Sequence, residues 1–252
     1  MTVAALIRGP EKTCNVLVVD SGVGSFSADG SPSYECSHDK LRLAFGNTYF
    51  TVVGDALLMD ALITTAAWAD PKRPDLRRPE TFHALIAGVE RLRQIQVTNG
   101  QGVAPDPRGA HLLVCNRQEA FYWLSAFDAS SGRFERPQKA KILEPGTGMV
   151  FWGGDTRAPV DASGMKIDEA LNRSIDAMID MNKQVEALDF KLPYPLTRRC
   201  SGVLLPHKTT AELRRIRPFD SLPEQWVKYR GGRATALLDD RDFMAFPAVT
   251  FS

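Results

Sequence analysis

The residues near the start of the chain that could do chemistry are an aspartate and a threonine. The segment NVLVVDSGVG, residues 15–24, runs from apolar β-branched residues into Asp20 and then into a turn with two glycines. This pattern predicts a buried strand that carries Asp20 to the edge of a sheet. A carboxylate at this position could serve a bound phosphate, an amino-acid substrate or a nucleophile elsewhere in the chain.

Thr2 is the candidate nucleophile. Removal of Met1 would leave Thr2 with a free α-amine. Such an amine has a pKa of about 8 and can act as the general base for the hydroxyl of its own residue. The sequence therefore allows hydrolysis by an N-terminal threonine, provided that the methionine is removed.

The strands that must position these residues are predicted from apolar and β-branched runs. They are expected at 3–8 and 16–20, at 40–45 and 48–54, within AHLLVCN, AFYWLSAF, AKILEP and MVFWGG, and as a late strand or strand pair in GVLLPH and TAELRRI. The serine- and glycine-rich stretch 21–39 is expected to be a loop.

The helices are predicted from the helical spacing of apolar residues. They are expected from about 57 to 68, along the face from Phe82 to Leu92, and along the face from Ile167 to Ile179. A proline-rich loop at 71–79 and a Gly/Pro-rich connection at 97–110 bound the second helix.

This order of strands, helices, strands and helix does not alternate as parallel β-α-β units do. It favours an α+β fold with antiparallel sheets and outer helices, as one sandwich or as α/β/β/α layers.

Charge and composition exclude several classes of function. The 252 residues carry a net charge of +1, so no overall field favours nucleic acid or an anionic membrane. The longest apolar runs are too short to span a bilayer, and the N-terminus lacks the features of a signal peptide, so a cytoplasmic protein is expected. The four cysteines and four histidines show no metal-ligand spacing, and no metal or cofactor is expected.

Two alternatives interpret Asp20 through its glycine turn. The strand ending in D-x-G-x-G resembles the first phosphate loop of the actin, sugar-kinase and Hsp70 superfamily, in which backbone amides cradle a phosphate. The second loop that this family needs has no match in the required position. The segment DSGVGS, residues 20–25, resembles the signature of glutamate and aspartate racemases. That resemblance implies Cys115 and Cys200 as opposed acid and base thiols, and it requires strand 16–20 to lead directly into a helix.

The chain also resembles the N-terminal nucleophile hydrolases, and within them the β-type proteasome and HslV peptidases, over residues 2–180. The matching motifs are VVDSG, SHDKLRLAF and FTVVGDALLMDAL, in the order and approximate spacing of that family. The resemblance implies that Thr2 is the nucleophile, that Asp20 pairs with Lys40 beside it, and that the N–H of Gly54 stabilises the oxyanion. It also implies a four-layer α/β/β/α sandwich in a single domain, residues 1–252, with 190–252 as a C-terminal extension that has no counterpart in the family.

The implied function is hydrolysis of a peptide or a small amide by a homo-oligomer. Trp68 and the aromatic strand 121–124 are the candidate contacts between subunits. An ATPase unfoldase partner is left open. If Met1 stays in place, the threonine amine is blocked and the alternative is a non-catalytic proteasome-like assembly protein.

Overall fold

A computed structural model of the chain describes residues 2–11, 13–20, 23–26, 32–35, 40–43, 48–64, 75–100, 109–153, 156–167, 169–187, 200–206, 214–216 and 243–245. The strands are β1 (Val3–Arg8), β2 (Cys14–Asp20), β3 (Val23–Phe26), β4 (Pro32–Glu35), β5 (Arg42–Leu43), β6 (Tyr49–Gly54), β7 (Ala110–Cys115), β8 (Ala120–Ser125), β9 (Phe127–Asp128), β10 (Arg133–Phe134), β11 (Lys141–Ile142), β12 (Thr147–Trp152), β13 (Thr156–Asp161), β14 (Cys200–Pro206), β15 (Arg214–Ile216) and β16 (Phe243–Ala245). The helices are α1 (Leu57–Thr64), α2 (Pro79–Thr98) and α3 (Ala170–Ala187).

Most of these strands belong to two antiparallel sheets. Within the described ranges, the larger sheet has seven strands in the order β13-β12-β1-β2-β14-β15-β16. The smaller sheet has five, in the order β11-β8-β7-β6-β5. The α+β class with antiparallel sheets, expected from the order of periodic segments, is confirmed.

Alternation along β1 explains how the larger sheet packs on both faces. Ala5 and Ile7 contact the cluster that includes Met178 of α3, whereas Ala4 and Leu6 belong to the cluster between the two sheets. This is the two-residue period of a strand that is buried on both sides. The edge-to-face contact of Tyr122 in β8 with Phe151 in β12, 4.9 Å between ring centroids, also joins the sheets.

The other face of the smaller sheet packs against α1 and α2. Trp123 of β8 stacks on Phe82 of α2 with 4.8 Å between ring centroids. The indole N–H of Trp123 donates to the carbonyl of Leu76 at 2.7 Å. Phe121, Tyr122 and Trp123 are therefore buried inside this chain. The expectation that strand 121–124 makes contacts between subunits is wrong for these three side chains, and Trp68 lies outside the described residues.

The loop expected over 21–39 is wrong in part. β3 and β4 form an antiparallel hairpin there, with Val23 opposite Glu35 and Phe26 opposite Pro32.

No apolar pattern in the sequence predicted β13, which pairs along β12 at the edge of the larger sheet. The residues of β13 are exposed or half-buried, so they show no apolar alternation, and the proline at position 159 is tolerated at an edge.

The boundaries of α2 and α3 differ from those expected. α2 begins at Pro79, which occupies the first turn, where a missing N–H costs nothing, and it continues to Thr98. Ile167 precedes α3 and is exposed. Residues 65–68, the expected end of the first helix, lie outside the described ranges. No described helix is long and apolar enough to cross a membrane.

The C-terminal segment contributes to the larger sheet. β14 pairs along the whole of β2, with Cys200 opposite Asp20 and Pro206 opposite Cys14. Val203 and Leu205 of β14 join the cluster between the sheets. The expected domain boundaries and homo-oligomer remain predictions.

Candidate functional site

Asp20 lies at the end of β2, where its buried carboxylate is held from two directions. Its Oδ1 atom accepts a hydrogen bond from the backbone N–H of Val3 at 2.8 Å. The Lys40 ammonium donates to Oδ1 at 2.9 Å and to Oδ2 at 3.0 Å. Because β1 and β2 are antiparallel, with Val19 opposite Ala4, the end of β2 must lie beside the start of β1. Strand register therefore brings Asp20 next to Thr2.

The Lys40 ammonium also contacts Thr2. Its Nζ atom donates to Thr2 Oγ1 at 3.2 Å. The side chain of Lys40 is 12% exposed and that of Asp20 is 7% exposed, so the ion pair is largely shielded from water. The structure thus brings together Thr2, Asp20 and Lys40, three residues singled out from the sequence.

Lys40 is anchored to the smaller sheet through its main chain. The hydroxyl of Thr51, a buried residue of β6, donates to the Lys40 carbonyl at 3.0 Å. The ammonium of Lys40 is bound at the larger sheet, so this one residue connects both sheets at the site. Its position is set by the packing of the two sheets against each other.

The main chain of Thr2 is held by the strand on the other side of β1. The N–H of Gly153, directly after β12, donates to the Thr2 carbonyl at 3.1 Å. Next along the chain, Val3 lies opposite Trp152. Thr2 is therefore fixed by Gly153 at its carbonyl and by Lys40 at its hydroxyl.

The electrostatics of the site favour negative charge on the threonine oxygen. An ammonium group has three donors, and here two of its contacts are to the Asp20 carboxylate and one is to Thr2 Oγ1. A charged donor at this distance stabilises an oxygen that loses its proton. Removing either partner of the buried ion pair would leave an uncompensated charge, which is strongly destabilising.

Gly54 lies at the end of β6, the strand that also carries Thr51. Its φ is +91°, and a Cβ atom at this position would lie 2.2 Å from the carbonyl oxygen of Gly109. Only glycine fits such a turn. The N–H of the next residue, Asp55, donates to that same oxygen at 2.8 Å. The role of Gly54 at an oxyanion stays a prediction.

The racemase alternative does not fit this arrangement. β2 is followed by the hairpin of β3 and β4, not by a helix, and its sheet is antiparallel in all the described pairs. Cys115 is fully buried in β7, and this burial, with a smaller contribution from Cys14, raises the pKa of its thiol well above the ordinary value. A thiol that holds its proton so strongly is unsuited to acid/base exchange near neutral pH. The glycine turn of the phosphate alternative, Ser21 and Gly22, lies outside the described residues.

Several groups that build the site were missed by sequence reasoning. The N–H groups of Val3 and Gly153 carry no signal in the sequence, because strand register alone selects them. Thr51 could have been noticed as the polar residue inside the apolar strand YFTVVG. A buried hydroxyl in such a strand requires a hydrogen-bond partner, and here that partner is Lys40.

Comparisons with known proteins found distant similarities among solved structures. No family model matches the chain, and no curated protein matches it. The chain is similar to Anbu (ancestral beta-subunit) from Yersinia bercovieri, with 11% identity, a TM-score of 0.49 and coverage of 100% of both chains. It is similar to Thiobacillus denitrificans BPH, with 10% identity, a TM-score of 0.42 and coverage of 82% of this chain and 99% of that chain. It is also similar to eukaryotic HslV from Trypanosoma brucei, with 14% identity, a TM-score of 0.36 and coverage of 82% of this chain and 100% of that chain. The function proposed below depends on the geometry of the site and not on these similarities.

Proposed function

We propose that the protein is a threonine-type hydrolase of peptides or small amides, with Thr2 as the nucleophile once the peptide bond before it has been cut. The observation that carries the proposal is the hydrogen bond from Lys40 Nζ to Thr2 Oγ1, 3.2 Å long. The same ammonium is held by both oxygens of Asp20. A hydroxyl beside a fixed positive charge, on the residue that would become the N-terminus, is the arrangement that this chemistry needs.

The packing of the chain supports the proposed four-layer α/β/β/α fold. α3 contacts one face of the larger sheet, and the smaller sheet contacts the other face. α1 and α2 contact the far face of the smaller sheet. Thr2 precedes β1, an interior strand of the larger sheet, and Lys40 reaches it from the smaller sheet, so the proposed site lies where the two sheets meet.

The proposed reaction begins with the α-amine of Thr2. The amine takes the hydroxyl proton, directly or through a water, while Oγ1 attacks the carbonyl carbon of the substrate. The electron pair of the C=O bond moves onto the carbonyl oxygen, which the N–H of Gly54 stabilises. Collapse of this intermediate breaks the C–N bond, and the leaving amine takes the proton from the Thr2 ammonium. An ester on Thr2 remains, and a water then hydrolyses it to release the acid and restore the hydroxyl.

Asp20 and Lys40 have separate roles in this proposal. Lys40 stabilises the negative charge that develops on Thr2 Oγ1 as its proton leaves. Asp20 keeps the ammonium in place and, through the N–H of Val3, keeps the main chain next to Thr2 in place. Asp20 therefore positions both the nucleophile and the charge that activates it.

The test is hydrolysis of a set of fluorogenic peptide amides by protein whose N-terminus has been verified as Thr2. Thr2→Ala should reduce hydrolysis to background, because no acyl intermediate can form without the hydroxyl. Lys40→Met should remove most of the rate, whereas the matched variant Lys141→Met, an exposed lysine on β11, should leave it unchanged. Full activity of Thr2→Ala would refute the proposal. A free N-terminal threonine without any hydrolysis would favour the non-catalytic assembly protein instead.

A further inference from the structure

A second buried ion pair involves Asp55, the residue that follows Gly54. Arg93 of α2 donates through Nη2 to Oδ2 of Asp55. The side chains of Arg93 and Asp55 are 14% and 4% exposed. Neither residue has a role in the chemistry described above, although Asp55 lies in the motif FTVVGDALLMDAL.

The contacts of Asp55 connect the Gly54 turn to α1 and α2, the two helices that pack on the smaller sheet. Its Oδ1 atom accepts from the N–H of Leu57, the first residue of α1, at 3.0 Å. Its main-chain N–H donates to the Gly109 carbonyl at 2.8 Å. The side chain therefore connects the start of α1 to α2, while the main chain is fixed to Gly109, the residue before β7.

Gly54 needs such an anchor more than other residues do. It is the last residue of β6 and has a φ of +91°. Glycine can leave this conformation without a steric penalty. A donor that stabilises an oxyanion is effective only when its direction is fixed before the reaction begins. Fixing Asp55 through its side chain and its main-chain N–H holds the peptide unit between Gly54 and Asp55, and so limits the conformations that Gly54 can adopt.

We infer that Asp55 and Arg93 are a positioning pair that fixes the backbone of Gly54 for oxyanion stabilisation. The inference rests on the proposed function, and it assigns the pair an effect on the transition state and not on substrate binding. A contribution to stability alone is a weaker explanation, because the cost of removing two charges from water offsets much of their attraction.

The test measures kcat and KM for the peptide amide that the wild-type protein cleaves best. Asp55→Asn keeps the size of the side chain and an oxygen for Leu57, while Arg93→Met keeps the aliphatic part of the arginine. Each variant should lower kcat by roughly ten- to a hundredfold and change KM by less than about threefold, since displacement of a catalytic group acts on the chemical step. The double variant should lose no more than the worse single variant, because both remove the same interaction.

The control is another ion pair that involves α2. Arg136 donates to Glu90 of α2 at 2.6 Å, so Arg136→Met also removes a charge pair from this helix. It should leave kcat unchanged. Arg93→Lys retains the charge and should preserve the fold, and it should keep more of kcat than Arg93→Met does.

The outcomes separate this inference from the proposed function. If the wild-type protein is active, Thr2→Ala is inactive and the Asp55 and Arg93 variants keep their kcat, the inference is wrong and the proposed function stands. Equal losses in Arg136→Met would show a general effect on α2 and would also overturn it. If the wild-type protein with a free Thr2 hydrolyses no peptide amide, the proposed function fails and the inference fails with it. Should Arg93→Met not fold, the comparison of Arg93→Lys with the wild-type protein decides the question, since unchanged kcat and KM in a folded Arg93→Lys would contradict the inference.

Discussion

At the scale of single residues, the surroundings of the Thr2 hydroxyl differ from those of the buried thiols of Cys14 and Cys115 in the charge that they favour. Thr2 Oγ1 receives a hydrogen bond from a charged ammonium at 3.2 Å. Cys14 and Cys115 lie in apolar surroundings, where burial raises the pKa of both thiols, that of Cys14 to about 12. Negative charge is therefore favoured on the threonine oxygen and disfavoured on the sulfurs.

The raised pKa of Cys14 predicts how stability depends on pH. In the unfolded chain this thiol ionises near its ordinary pKa of 9.0, but in the folded protein it stays protonated until about pH 12. Its contribution is therefore complete below pH 9 and is lost as the pH rises from 9 towards 12, because only the unfolded state releases the proton there. Urea denaturation across this range should show a steeper loss of stability for the wild-type protein than for Cys14→Ala. Parallel pH profiles for the two proteins would contradict the assignment.

The candidate residues illustrate what a sequence can and cannot predict about a site. Asp20 could be singled out because it ends a predicted strand, and Thr2 because removal of Met1 would free its α-amine. Lys40 could be singled out only through the resemblance of its motif, SHDKLRLAF, to a known family. The Val3 and Gly153 amides could not, because every residue except proline carries an N–H and only the strand register decides which one faces the carboxylate. The pair of Asp55 and Arg93 was missed because it depends on how α2 packs beside the junction of β6 and α1.

At the scale of elements, the junction of β6 and α1 depends on a close contact between two backbones. A Cβ atom on Gly54 would lie 2.2 Å from the carbonyl oxygen of Gly109, and one on Gly109 would lie 2.3 Å from that of Ser125. Both glycines have positive φ. The backbone at the ends of β6, β7 and β8 therefore approaches too closely for a side chain at Gly54 or Gly109.

Gly54→Ala should therefore lower the free energy of unfolding by about 3 kcal/mol or more, since a main-chain oxygen cannot move away cheaply. Gly132→Ala is the matched control. Gly132 also has a positive φ, +67°, but a Cβ atom there would meet nothing within 4 Å. That variant should cost only the strain of the backbone conformation, about 1 kcal/mol. Urea denaturation of both variants measures the difference, and equal stabilities would show that the close contact at Gly54 is not a constraint.

The elements themselves could be predicted where the side chains of a segment show a period. β2 is buried throughout, and β1 is buried except at the half-buried Arg8. α2 buries Phe82, Leu85, Ile86 and Val89 on one face, as their apolar spacing indicates. The hairpin of β3 and β4 and the edge strand β13 were missed. The residues of β13 are exposed or half-buried and show no apolar alternation, while β3 and β4 lie in a stretch rich in serine and glycine that predicts a loop.

At the scale of the whole molecule, the site is assembled from both sheets and from distant parts of the chain. β14 covers the edge of β2 and lies opposite Asp20 through Cys200. The sequence indicated a late strand in GVLLPH, but its place beside β2 could not be predicted, because pairing between segments so far apart depends on the packing of everything between them.

Truncation tests the importance of β14. A chain that ends at residue 199 loses β14 and with it Val203 and Leu205 of the core between the sheets. Its unfolding should no longer be cooperative, because the side of β2 that pairs with β14 would have no partner strand. A chain that ends at residue 206 keeps these contacts and should retain a cooperative transition. Thermal unfolding followed by circular dichroism distinguishes the two, and equal behaviour would show that β14 is dispensable.

The most direct test of the central claim is mass spectrometry of the intact protein after brief incubation with a peptide p-nitrophenyl ester. The proposed function predicts that protein beginning at Thr2 gains the mass of one acyl group and that digestion maps this group to Thr2. Thr2→Ala, prepared with the same exposed N-terminus, should gain none. Turnover of the ester without an adduct at Thr2, or an adduct on another residue that persists in Thr2→Ala, would contradict the assignment of Thr2 as the nucleophile.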